Sequence, residues 1–417
     1  MRPLLPALCV ALALPLVVAA QGSHGAKSLT GAAAFSPARL ARIDSLMLRL
    51  VADRRIPGAV AMIVKDGQVV YHKAFGMRTA GTNTPMRSTD IFQIASQTKA
   101  ITSLAAMILW EEGKFSLDDP VGRYLPEFRE HTVLKTFNPK DSTYEATATR
   151  RRITIRQLFT HTSGLDYADI GSEEFQAIYG KAGISALGRQ GDVLADKMAA
   201  LARLPLRYEP GERFNYSLGV DLLGRLVEVW SGMSLDRFFR TRIFEPLKMT
   251  DTWFELPADR RDRLVPLHRV VDGVVEGMAT PERGVNPDFA ARKVTYFSGG
   301  GGLSSTTTDY ARFLQLFLNG GELDGARLIS RKTVELMLTN QIPTLTTAFG
   351  LGFALETPQN DFRSVLTTGT FSWGGAFATD YWADPKENLI GQLYTSVFDL
   401  TVPFSNPFKV LVYSALK

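Results

Sequence analysis

The chain has 417 residues, 45% of them hydrophobic and 21% charged, enough to bury a sizeable core; that balance excludes a disordered tail protein, a collagen-like fibre and a coiled coil. The formal charge of +5 arises from 47 basic and 42 acidic residues spread along the chain, a surplus too small and too scattered to point to nucleic acid. Cys9 is the only cysteine, so no intrachain disulfide and no thiolate zinc cluster can form. The five histidines (24, 72, 131, 161 and 268) fall in no HxH or HExxH arrangement, so no dedicated transition-metal site is expected, carboxylate-only sites staying open.

The chain opens on Met1-Arg2 and an apolar run from Leu4 to Val18, closed by Ala19-Ala20-Gln21. A positive start, an apolar middle and small residues at the end predict a secretory signal peptide over 1–20, cleaved after Ala20. The run is short for a membrane span, and no other stretch reaches that length without charges, so the mature chain is expected to be exported, periplasmic or secreted, with no membrane span. Residues 21–35 read as a flexible leader.

A helix is predicted over 36–54, where Leu40, Ile43, Met47 and Leu50 recur every three to four residues. Two β-rich runs follow, Gly58–Val64 and Val69–Phe75, joined through Asp66-Gly67, a dipeptide that favours a tight hairpin turn. Ile101, Leu104, Ala105, Ile108 and Leu109 share one face of a long helix ending near Gly113. Residues 115–290 mix short helical patterns with Pro/Gly loops and one clear helix, from about Leu218 to Trp230. After the glycine run 299–302 come a helix near 307–319, strands near 349–355, 375–383 and 389–397, and a last helix over 406–416. This order predicts an antiparallel sheet assembled from both ends of the chain, from about 36–95 and 290–417, with a mostly helical part inserted over about 96–289.

No serine lies in G-x-S-x-G, and no G-x-x-x-x-G-K-[ST] is present. The glycine run lacks Rossmann spacing and is read as a place of close backbone approach. Ser96-Gln97-Thr98-Lys99 remains. Residues three apart share a helix face, so the amine of Lys99 stands beside the hydroxyl of Ser96 and can take its proton if desolvation or a neighbouring cation lowers its pKa. A second S-x-x-K, Ser414–Lys417, sits at the C-terminal end with nothing after it to build a pocket, and is read as a helix end.

The surroundings of Ser96 carry a resemblance. Phe92-Gln93-Ile94-Ala95-Ser96-Gln97-Thr98-Lys99 resembles the first motif of the serine β-lactamase and penicillin-binding-protein superfamily. Leu158–Leu165 (Leu-Phe-Thr-His-Thr-Ser-Gly-Leu), Phe214-Asn215-Tyr216-Ser217-Leu218, Ser298–Leu303 with the Asp309–Phe313 helix, and Trp373-Gly374-Gly375 are similar to later segments of the same group. The resemblance spans about 36–417 and implies one β-lactamase-like domain of the α/β class (α+β type), an antiparallel sheet flanked by helices. It implies Ser96 as nucleophile, Lys99 and Tyr216 as the proton-transfer pair, and the amides of Ser96 and Ala376 as the oxyanion hole. The serine mechanism so implied requires no metal or organic cofactor. Gly374 and Gly375 then let their strand lie close to the substrate.

Two positions depart from the β-lactamase pattern. Leu218 stands where those enzymes carry Asn and Trp373 where they carry Lys. Losing a charge-assisted hydrogen bond costs about 1.5–3 kcal/mol, which disfavours a carboxylate-bearing penicillin or D-Ala-D-Ala peptide. Tyr-Ser-x with Trp-Gly-Gly resembles the family VIII carboxylesterases, which implies a serine esterase acting on small-molecule esters, with Leu218, Trp373, Gly374 and Gly375 near the substrate. Trp373 either lines the acyl pocket or covers the sheet. His161 is expected to position its loop by hydrogen bonding rather than to act as base. The same acyl-enzyme could serve an acyltransferase, a β-lactamase or D-amino-acid peptidase, or a penicillin-binding module that does not turn over.

Overall fold

The computed structural model of the protein describes residues 30–417. The predicted signal peptide and residues 21–29 of the leader lie outside the described residues. Residues 31–35 do not behave as a leader: Gly31–Ala34 form a turn of 3-10 helix, and Phe35 is buried and bridges to Leu416 near the chain's end.

Helix α1 (Pro37–Ala52) starts with Pro37 in its first turn, where a missing N–H costs nothing, and buries Ile43, Leu46, Met47 and Leu50. Strands β1 (Gly58–Lys65) and β2 (Gln68–Gly76) form the expected hairpin around Asp66-Gly67. Helix α2 (Thr98–Glu111) is buried along Thr98–Leu109 and runs through the middle of the molecule. Helices α3 (Gly219–Ser231) and α4 (Thr307–Leu318) precede strands β3 (Ala354–Leu355), β4 (Phe371–Gly375), β5 (Thr379–Asp384) and β6 (Leu389–Tyr394), and helix α5 (Ser405–Ala415) closes the chain.

The strands make one antiparallel sheet in the order β3-β4-β5-β6-β1-β2, so the first hairpin is zipped onto the last strands through β6. The alternation of β1 explains the layers on either side. Val60, Met62 and Val64 face the large core built with α2, α3 and α4. Ala59, Ala61 and Ile63 face a second core with α1 and α5, where Trp382 and Phe408 pack edge to face. Both faces are therefore covered by helices, and β1 and β6 are buried along their whole length.

Three expectations change. The strand predicted over 349–355 is a strand only at Ala354–Leu355, because Gly350 N–H bonds Phe353 O (2.8 Å) and turns the chain before it can extend. The segment predicted over 375–383 turns first, Ala378 N–H bonding Gly375 O (3.0 Å), and becomes a strand from Thr379. The middle region also holds two hairpins, Thr132–Asn138 with Thr143–Ala148 and His268–Val271 with Val274–Gly277. The first of these is largely exposed on both faces, so its sequence lacks the apolar alternation that marks a strand.

Candidate active site

Ser96 sits in a single 3-10 turn, Ala95–Gln97, placed directly before α2. Ala95 holds a φ of 43°, a left-handed conformation rare for a residue with a Cβ, and this turn presents Ser96 half-exposed while Ala95 and Gln97 are buried. Neighbours clamp the turn. Ile94 N–H donates to Leu303 O (3.0 Å), Tyr310 donates its hydroxyl to Gln97 O (2.9 Å), and Tyr394 donates to Gln97 Oε1 (2.6 Å). The end of β4 lies against the same turn: a Cβ on Gly375 would stand 2.4 Å from Ile94 O, so only glycine permits this approach. Ala376, exposed at the end of that strand, follows it directly.

One turn along, Lys99 is 2% exposed. Its Nζ donates to Gly300 O at 2.6 Å, to the Tyr167 hydroxyl at 3.1 Å and to Ser96 Oγ at 3.4 Å. The amine also lies over the Tyr216 ring, 4.6 Å from its centroid, and 5.2 Å from that of Tyr167. The two tyrosine rings stack on each other, 5.3 Å apart and 17° from parallel. The structure therefore brings Tyr216 to Lys99 by its face. The Tyr216 hydroxyl is buried without a hydrogen-bond partner among the described residues, and the phenol that bonds the amine is that of Tyr167. Burial, followed by the nearby Tyr216 and Asp221, pushes the Tyr167 phenol well above its ordinary pKa, so it keeps its proton while accepting from Lys99.

His161 has a left-handed φ of 54° and is buried; its Nδ1 accepts from Ser217 N–H (3.3 Å) and its carbonyl from Asn215 N–H (2.7 Å). Burial, reinforced by the Lys99 charge, holds its imidazole well below the ordinary histidine range. A neutral histidine that bonds Ser217 through its ring and Asn215 through its carbonyl holds the segment on either side of Tyr216; the sequence leads to the expectation that His161 positions its own loop. Trp373 flanks Tyr216, with ring centroids 5.5 Å apart, and meets Phe349 edge to face at 5.3 Å. Gly374 and Gly375 are half-buried beside it. Leu218 is the exception: it is wholly buried in the large core at the start of α3, so the structure does not bring it to the cleft. The apolar character of that position serves packing.

A cavity of about 380 Å³, whose lining includes none of Ser96, Lys99, Tyr216 and Trp373, lies next to the glycine run at Gly302. Leu187 and Phe289 from its wall pack into one cluster with Ala95 and Phe377, the residues next to Ser96 and Ala376. Its size suits a small organic molecule. Among the described residues no group of three or more His, Cys, Asp or Glu stands close enough to hold a metal ion, and no helix is long and apolar enough to cross a membrane.

A model of the Beta-lactamase family matches residues 43–409 of this sequence. The chain belongs to the Beta-lactamase family. Within it, the protein is 34% identical to Protein Rv1367c of Mycobacterium tuberculosis (strain ATCC 25618 / H37Rv), over 80% of this chain and 84% of that protein. It is 30% identical to Esterase EstB of Burkholderia gladioli, over 85% of this chain and 90% of the esterase. Among solved structures, "EstCE1, a hydrolase with promiscuous acyltransferase activity" superposes with a TM-score of 0.75 at 25% identity, covering 90% of this chain and 98% of that one. This β-lactamase-family protein is a serine hydrolase, and its sheet with helices on both faces is the β-lactamase-like architecture.

Two residues at the site escaped the sequence reading. Tyr167 stands two residues beyond the Leu158–Leu165 segment, and only its tyrosine type marks it. Asp221 is a carboxylate inside the apolar run of α3, and it proves to be fully buried beneath the glycine run. The two stacked phenols make separable predictions for this family member. With the Tyr216 hydroxyl carrying the proton, as the resemblance implies, Tyr216→Phe is expected to lower ester turnover about a hundredfold or more and Tyr167→Phe, which removes one acceptor from Lys99, about tenfold; the opposite order in steady-state kinetics on a p-nitrophenyl ester would give the proton to the phenol that bonds the amine here, Tyr167.

Proposed function

We propose that the protein is an exported serine esterase that hydrolyses short-chain carboxylic esters through an acyl-enzyme on Ser96. The observation that carries this reading is the buried Lys99 amine, in reach of Ser96 Oγ and framed by two phenols, in a site that has Trp373 where a cation would hold a substrate carboxylate. Ser96 Oγ attacks the ester carbonyl and its proton passes to the Lys99–tyrosine group. The amide N–H groups of Ser96 and Ala376 donate to the developing oxyanion, a role for which the close approach of β4 to the 94–96 backbone is suited. The alcohol leaves with the proton, and water, giving up a proton to the same group, releases the acid and restores Ser96. Trp373, half-buried beside Tyr216 and backed by the buried Phe349, offers an apolar surface for the acyl group. The apolar run and small residues at 4–20 support export.

A second reading replaces water by an alcohol acceptor, making the protein an acyltransferase. It is favoured by the acyltransferase activity in the description of EstCE1. The test is a panel crossing p-nitrophenyl esters of increasing acyl length with nitrocefin and a D-Ala-D-Ala peptide, with and without added alcohols. Steady turnover highest on short esters and unchanged by alcohols is the result expected. Faster turnover of nitrocefin or the peptide would overturn the reading. So would a single stoichiometric burst from every ester, which would mark a binding module that does not turn over. Capture of the acyl group by alcohols in preference to water would establish the second reading.

A further inference from the structure

We infer that Asp221 is the counter-charge of Lys99, linked to it through the backbone of Gly300, and that it sets the pH range in which Ser96 is activated. This rests on the proposed role of Ser96 and Lys99. Asp221 has no contact with Ser96, so it is a positioning residue.

The link is short and continuous. Gly300 O accepts from Lys99 Nζ at 2.6 Å, and Gly300 N–H donates to Asp221 Oδ1 at 3.2 Å. The same oxygen accepts from the Ser298 hydroxyl at 2.7 Å. The approach is so close that a Cβ on Gly300 would lie 2.2 Å from Asp221 Oδ2, which gives the glycine run a chemical reason to be there. Asp221 comes from the first turn of α3, five residues after Tyr216, so one short segment carries both the ring that faces the amine and the carboxyl group behind Gly300.

Asp221 is fully buried, and its Oδ2 has no hydrogen-bond partner among the described residues. A carboxylate so placed persists only beside a cation and donors. Burial raises its pKa, and Lys99, Ser298 and the Gly300 amide oppose that rise. The titratable groups facing this pair are Tyr167, Tyr216, Tyr296 and His161, with Asp169 and Asp192 behind the tyrosines. Burial favours the neutral form of the phenols of Tyr167 and Tyr296, of the His161 imidazole and of the Asp169 carboxyl. Asp221 is thus the buried carboxyl group that Lys99, through Gly300, and two hydrogen-bond donors favour in its charged form against the cost of burial. A fixed negative charge favours the protonated state of the proton-transfer group, so removing it must move the acid limb of the serine's reactivity to lower pH.

The test is the rate at which a fluorophosphonate ester labels Ser96 across pH, which needs no turnover. Asp221→Asn keeps the shape and removes the charge; its acid-limb midpoint is expected to move down by about one pH unit, with a plateau rate about tenfold lower. Ser298→Ala removes one donor and is expected to move the midpoint in the same direction by less, since its carboxylate neutralises more readily on the acid side. A lower plateau with an unmoved midpoint in Asp221→Asn would overturn the inference, leaving Asp221 to hold the glycine run in place. Wild-type rate and midpoint would overturn it equally. If circular dichroism shows that Asp221→Asn does not fold, Ser298→Ala decides by the same criterion. Failure of the wild type to label at Ser96 would remove the proposed esterase mechanism as well, an outcome distinct from labelling with an unmoved limb.

Discussion

Ser96→Ala is expected to abolish ester turnover and all covalent labelling by a fluorophosphonate, while leaving the fold intact. The hydroxyl is half-exposed, and in the described structure it accepts one long bond, 3.4 Å, from Lys99; removing it opens no core cavity and orphans no donor, because Lys99 keeps Gly300 O and the Tyr167 hydroxyl. Stability should thus stay within about 0.5 kcal/mol of the wild type by chemical denaturation. Activity should fall by several orders of magnitude, since the acyl-enzyme has no other atom on which to form. Residual labelling at another residue would show that the nucleophile lies elsewhere.

Lys99→Ala should be nearly as damaging to activity, and it should differ from Ser96→Ala in its cost to the fold. Turnover is expected to drop by about a hundredfold or more through loss of proton transfer. The buried amine also satisfies Gly300 O and Tyr167 and faces Asp221; without it a carboxylate is left unpaired in the core, a change that typically costs about 3–5 kcal/mol. Lys99→Ala should therefore unfold at lower denaturant than Ser96→Ala, and part of that loss should return on acidification as Asp221 takes a proton. A Lys99→Ala protein with near-normal rates would mean that the proton leaves Ser96 by another path.

What the sequence discloses here depends on how far apart in the chain the interacting groups stand. The β1–β2 hairpin is legible because β-branched residues flank Asp66-Gly67, a local signal. Helix α2 is legible because its apolar residues dominate a whole helical window. Ser96 and Lys99 are one turn apart, so their meeting is written into the spacing. The contact between Lys99 and Tyr167 spans 68 residues, and nothing at position 167 distinguishes its phenol from that of Tyr216; only the fold shows that the Tyr167 oxygen reaches the amine while the stacked Tyr216 meets it by its ring face. Asp221 is hidden for a similar reason, since a single acid in an apolar run reads as a solvent-facing break until the fold closes over it. Leu218 misled in the opposite sense. Its place in the motif suggested the cleft, but the first turn of α3 rotates it into the core.

The pairing of β1 with β6 has a consequence for how the molecule is made. Val60 is bonded across the sheet to Tyr394, and Tyr394 in turn grips Gln97 beside the nucleophile. Nearly the full polypeptide must leave the ribosome before that grip can form, and a topology dominated by such distant partners folds slowly. The turn that carries the nucleophile is therefore completed only once the last strand has joined the sheet.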